Sequence, residues 1–155
     1  MAGIDDVLVA GFTEVSEKPL RFHHLFWAVF FEFGGELLKF AAIGDSGRMS
    51  IERTERVWYD SLDDDLEPAS ASIRQIVLDN SDGTGRLASA QLWDFQMSQT
   101  GIECAAVRFE LANGQIVFLD PTYHFGIRVG GASQEAIFAE NSGGRKGLRP
   151  NYAIA

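Results

Sequence analysis

The sequence predicts an α+β fold: a single domain with a mostly antiparallel β-sheet of about six or seven strands and one principal helix. Three observations carry this. Gly34-Gly35 separates two aromatic and apolar runs, and Asn113-Gly114 separates two alternating runs, both hairpin signals. A stretch opened by Pro68 then spaces its apolar residues as a helix does. A length of 155 residues suits one domain, and 46% hydrophobic with 23% charged residues suits a globular chain rather than a disordered one. The domain is placed at residues 1–139, with residues 140–155 as a polar C-terminal tail or surface arm.

Taken in order, Phe26–Phe33 is apolar on both faces, so it reads as a central strand covered on both sides. Glu36–Ile43 returns after the Gly-Gly turn, and Arg48–Arg53 follows the turn Gly44-Asp45-Ser46-Gly47 as an alternating strand. In Pro68–Leu78, Ala69, Ile73, Ile76 and Val77 fall on one helical face, although Ile73, Gln75 and Val77 also alternate as a strand would. Asp79–Gly85 is turn chemistry. Leu87–Met97 and Glu103–Leu111 read as strands, the latter with Val107, Phe109 and Leu111 facing in and Arg108 and Glu110 facing out. Ile116–Leu119 returns after Asn113-Gly114, Asp120-Pro121 is expected to break the run, and Tyr123–Val129 alternates again. Ser133–Ala139 forms a short helical turn.

Acidic residues number 22 and basic residues 13, giving a net charge of −9. That argues against a nucleic-acid binder, which needs a basic face for the phosphates, and against an anionic-membrane binder. The start of the chain carries Asp5 and Asp6 where a secretory leader carries a basic segment, and Leu25–Phe33 is too short to span a bilayer. A cytoplasmic location is the expectation. One cysteine excludes an intrachain disulfide and a multi-cysteine zinc site.

The most distinctive chemistry is the run Asp60-Ser61-Leu62-Asp63-Asp64-Asp65-Leu66-Glu67, five carboxylates in eight residues, directly after Trp58 and Tyr59. Acids steer a basic partner, and aromatics supply the desolvated anchor that acids cannot. The bland reading is a solvated loop leading into a helix, with the aromatics in the sheet. Neither this run nor Asp79–Gly83 has calcium-loop spacing, so no metal site and no cofactor are expected. His23 and His24, adjacent on a strand, would point to opposite faces and could not grip one ion together. Cys104 with His124 is conceivable as nucleophile and base, but Ile102-Glu103-Cys104-Ala105-Ala106 looks like buried core. Nucleophile-elbow, phosphate-loop and dinucleotide fingerprints do not occur.

Trp93, Phe95, Met97, Gln99, Gly101 and Phe109, within LASAQLWDFQMSQTGIECAAVRFEL, form a pattern of Trp, aromatic, Met, polar residues and Gly ahead of an alternating strand. With the hairpin and following strand across Val29–Glu52, it resembles small bacterial α+β proteins. Some of these are similar to immunity proteins, which neutralise toxins of contact-dependent or type VI secretion systems. The chain departs from that pattern at Ile102, where an aromatic is usual, and at Cys104, where an acid is usual.

The resemblance implies a binding protein rather than an enzyme. Its partner would be a cognate toxin with a basic surface, met through Trp58, Tyr59, Asp60, Asp63, Asp64, Asp65 and Glu67. The alternatives are a small-ligand-binding or regulatory domain with an aromatic pocket between sheet and helix, and an enzyme with a dispersed site using His124, Asp120 or Glu103. Pairing through an exposed strand leaves a homodimer open.

Overall fold

A computed structural model describes residues 3–57, 65–79, 85–99, 101–124, 126–141 and 150–154. The chain is sheet-dominated α+β, and nearly all pairing is antiparallel as expected. The strands form two sheets rather than one, and both helices are short.

The first sheet contains β1 (Ile4–Glu14), β2 (His23–His24), β3 (Ala28–Phe33), β4 (Glu36–Ala42), β5 (Met49–Thr54), β6 (Leu66–Ser72), β8 (Gln96–Ser98) and β9 (Gly101–Cys104). The second contains β7 (Leu87–Trp93), β10 (Ala106–Leu111), β11 (Ile116–Tyr123), β12 (Gly126–Gly130) and β13 (Pro150–Ile154), in the order β12-β11-β10-β7-β13. The helices are α1 (Arg74–Val77) and α2 (Ala132–Asn141).

β1 organises the first sheet. β3 pairs with it from Ile4 to Leu8 and β2 at Gly11 and Phe12, while β6 runs along its other side from Leu8 to Glu14. Alternation sorts its side chains from Val7 onward, after a register shift between Ile4 and Asp6. Ile4, Val7 and Val9 join the core between the sheets, and Leu8 and Ala10 face the opposite side. β3 lies between β1 and β4, and Ala28 to Phe31 are all buried. The β3–β4 hairpin turns at Gly34 and Gly35, whose φ of 56° and 84° suit the absence of a Cβ.

The seam between the sheets is aromatic. Phe109 of β10 meets Phe31 and Phe33 of β3 at 5.4 and 5.6 Å between ring centroids, and Phe40 of β4 at 6.1 Å. Val107, Phe109 and Leu111 face this seam, as expected. Arg108 faces the other way, where it bonds Glu110 of its own strand and Glu135 of α2, each at 2.9 Å. That outer face of the second sheet is covered by α2, with Phe138 packed on Phe118 and Trp93.

Several expectations are corrected. The helix expected over Pro68–Leu78 is mostly strand: Leu66–Ser72 is β6, and only Arg74–Val77 is helical. Unpaired backbone along β1 decides this, because seven residues of β6 satisfy it in register, from Ser72 opposite Leu8 to Leu66 opposite Glu14. The longer helix is α2, where only a short turn was expected. Leu87–Met97 and Glu103–Leu111 are each two strands. They bend from one sheet into the other at Asp94, which has φ 49°, and at Ala105, whose N–H bonds Trp93 O at 2.7 Å. Arg48 braces the corner through Asp94 Oδ2 at 2.5 Å and Asp94 O at 2.9 Å. Asp120-Pro121 does not end its strand; β11 runs on to Tyr123 with a register shift at that point. The last residues of the stretch assigned as a tail or surface arm, Pro150–Ile154, pair with β7.

Candidate functional site

Of the residues expected to meet a partner, Trp58, Tyr59, Asp60, Asp63 and Asp64 lie outside the described residues. Asp65 and Glu67 are described, and both are exposed at the start of β6. Strand register adds a third acid. Glu14 ends β1 opposite Leu66, and Thr13 stands opposite Glu67, so Glu14, Asp65 and Glu67 lie near one end of the first sheet, with Glu14 and Glu67 on opposite faces of it. This was not legible locally, because Glu14 is more than fifty residues from Asp65 in the chain and only the β1–β6 pairing unites them.

The loop leaving that end of β1 exposes apolar side chains alongside the cations Lys18 and Arg21. Val15 and Leu20 are each 59% exposed, and Phe22 is 39% exposed. Singly exposed apolar side chains are ordinary, but three on one loop beside acids make a mixed patch. The same loop holds Glu17 and His23, which bond at 3.1 Å, with Arg21 Nε 3.5 Å from the other Glu17 oxygen. Oxygens of Glu14 and Glu17 and a ring nitrogen of His23 lie within 4.8 Å of one another, close enough to hold a divalent cation. Within the cluster, His23 and Arg21 each engage one Glu17 oxygen, Arg21 through charge alone.

His23 and His24 do point apart. His23 stacks on Phe12 at 5.0 Å, whereas His24 leans on Phe26 at 4.5 Å and lines a cavity. That cavity, about 330 Å³, lies between β1 and β3 of one sheet and β12 of the other. It is thus an inter-sheet cavity, with Ile73 ahead of α1 the nearest part of a helix, rather than one between sheet and helix. Gly126 permits it. Its φ is 118°, and a Cβ there would overlap the Phe26 carbonyl, which accepts the Ile127 N–H at 3.0 Å.

The residues named for a dispersed catalytic site are differently placed. Asp120 is fully buried, and its carboxylate accepts from the Thr122 N–H at 2.9 Å, the Thr122 hydroxyl, and Gln134 Nε2 at 3.0 Å. Those bonds tie α2 to β11 and occupy the carboxylate. Glu103 lies on β9 in the first sheet, and His124 is exposed beyond the end of β11. Cys104 is fully buried, and burial pushes its thiol up to about 12, far from thiolate chemistry at neutral pH.

No protein-family model, curated protein or solved structure matches this chain. Among the described residues, no helix is long and apolar enough to cross a membrane.

Proposed function

We propose that the protein is an immunity-type binding protein that neutralises a cognate toxin in the cytoplasm by docking on its basic surface. The observation that carries this reading is the exposure of Asp65 and Glu67 at the end of the first sheet where β1 closes on Glu14, beside exposed Val15, Leu20 and Phe22. The acids would steer a basic partner and set its orientation, and the apolar side chains would be desolvated in the complex. Trp58, Tyr59, Asp60, Asp63 and Asp64 adjoin this end in the chain and belong to the proposed contact. The net charge of −9 adds a long-range attraction to a cationic toxin. The likeness of Trp93–Gly101 to immunity-like proteins points the same way.

The test has two parts. The full chain is used to capture a basic protein from the lysate of its own host at low salt. That protein must then arrest growth when expressed alone, and co-expression of this chain must restore it. Replacing Asp63, Asp64, Asp65 and Glu67 by Lys is expected to slow association at least about tenfold at low salt and to flatten its salt dependence. Growth arrest that co-expression does not relieve, or affinity and salt dependence untouched by charge reversal, rejects the reading.

A further inference from the structure

The end of β1 carries a chemistry that docking on a basic partner does not use. Glu14, Glu17 and His23 converge there, with one ligand atom from each within 4.8 Å of the others. Local structure builds the group. Glu14 O accepts the Glu17 N–H at 3.1 Å, and this tight turn brings Glu17 back beside Glu14. His23 stands opposite Phe12 in the β1–β2 pairing, so Phe12, Glu14 and His23 share one face of the sheet. The imidazole stacks on Phe12 at 5.0 Å, which sets its plane. Gly11 admits this approach, because a Cβ there would overlap the His23 carbonyl. Glu17 is the residue that asks for a ligand. Its Oε2 meets His23 Nε2 at 3.1 Å, but its Oε1 is shut off from water and accepts no hydrogen bond. Folded proteins seldom leave a buried carboxylate oxygen in that state. Arg21 approaches Oε1 only at 3.5 Å, and its side chain is 74% exposed, so it is free to swing aside.

We propose that Glu14, Glu17 and His23 bind a divalent transition-metal ion of the zinc class. The 3.1 Å between His23 Nε2 and Glu17 Oε2 already suits two ligands of one ion, which stand about 3.0–3.5 Å apart when the bonds are about 2.0–2.2 Å long. Rotation of the Glu14 side chain closes the remaining gap. A dication offsets the two carboxylates. The imidazole nitrogen favours zinc over calcium and magnesium, which take oxygen shells. Water would complete the coordination. The ion would clip the end of β1 to β2 and hold the loop over residues 15–22, with its exposed Val15, Leu20 and Phe22, in one conformation. The site does not depend on the toxin-binding reading.

The test uses the full chain, free of any tag and stripped with EDTA, titrated by calorimetry with zinc chloride and in parallel with calcium chloride. The expected result is one equivalent of zinc, bound at least about tenfold tighter than calcium. Glu17→Gln and His23→Phe, the latter keeping an aromatic ring on Phe12, are each expected to weaken zinc at least about tenfold. Manganese chloride is expected to broaden the ¹H–¹⁵N NMR signals of residues 12–24 before those of β10 and β11, which locates the ion without any substitution. Zinc is expected to raise the urea midpoint of the parent and not of the two variants, while in EDTA all three melt together. That control separates lost ligation from a folding defect. Asp65→Asn with Glu67→Gln is expected to retain one equivalent of zinc, which separates the ion from the docking surface. No saturable zinc uptake, calcium bound as tightly as zinc, broadening centred elsewhere, or a zinc affinity that survives both Glu17→Gln and His23→Phe overturns the proposal.

Discussion

The seam between the two sheets and the acidic end of the first sheet share a strand, yet obey opposite rules. Along β1, Val7 and Val9 enter the seam and lose all or nearly all contact with water, while a few residues on Glu14 stands with Asp65 and Glu67 at the surface. The seam is held by area and shape: Phe31, Phe40 and Phe109 interlock edge to face or tilted. At the acidic end, backbone pairing joins β1 to β6, and Asp65 and Glu67 are exposed, so those side chains can serve recognition. Stability and recognition should therefore separate cleanly by mutation.

The largest effect is expected in the seam. Phe109→Ala removes the ring that Phe31, Phe33 and Phe40 all meet, and should cost about 3–5 kcal/mol in a urea melt. A loss under about 1 kcal/mol would mean that the sheets close over the gap, and that the seam is less demanding than its packing implies.

Next is the tie between β11 and α2. Asp120→Ala strands one N–H of the Gln134 amide and the Thr122 N–H, at a cost of about 1–3 kcal/mol. Amide exchange in α2 should speed up more than exchange in β10. Equal acceleration in both would show that helix and sheet open as one unit.

The seam also predicts a pH response. Cys104 is shifted from its ordinary 9.0 to about 12 by burial, so the unfolded chain releases this proton first. Stability from this group is complete below pH 9 and falls as pH rises, by about 1.4 kcal/mol per pH unit until the folded value is reached. Cys104→Ala should melt with a shallower alkaline slope than the parent between pH 9 and 11. Parallel slopes would place the thiol in contact with water.

What the sequence revealed follows the same division. Signals written in adjacent residues were legible: Gly34-Gly35 and Asn113-Gly114 both turn hairpins, and Val107, Phe109 and Leu111 face inward. Patterns shared by two periods were not. Ala69, Ile73, Ile76 and Val77 fit a helix, but Ala69 and Ala71 alternate with Ser70 and Ser72, and the open flank of β1 selects the strand. The Asp94 corner is not legible in sequence, because one residue with positive φ redirects a strand that otherwise reads as continuous. β1 lacks a flanking turn signal, although Val7-Leu8-Val9-Ala10 carries an apolar run behind two aspartates. Of the acidic end, Asp65 and Glu67 were visible and Glu14 was not. The inter-sheet cavity could not be read at all, because Val9, Val29 and Val129 meet only through the packing of two sheets.

The smallest expected effect on stability is the sharpest test of the comparison. Glu14→Lys with Glu67→Lys replaces two acids at the end of the first sheet while leaving every backbone bond between β1 and β6 in place. Surface changes of this kind shift stability by no more than about 0.5 kcal/mol. Glu14 also sits near Glu17 and His23, and exposed pairs of this sort contribute little when water screens them. The urea midpoint should thus stay close to that of the parent chain, while association with a basic partner slows and loses its dependence on salt. A double variant that unfolds readily would reverse the reading of this end. The carboxylates would then be part of what holds β6 against β1, and the patch would have to be sought among side chains whose loss leaves the sheet intact.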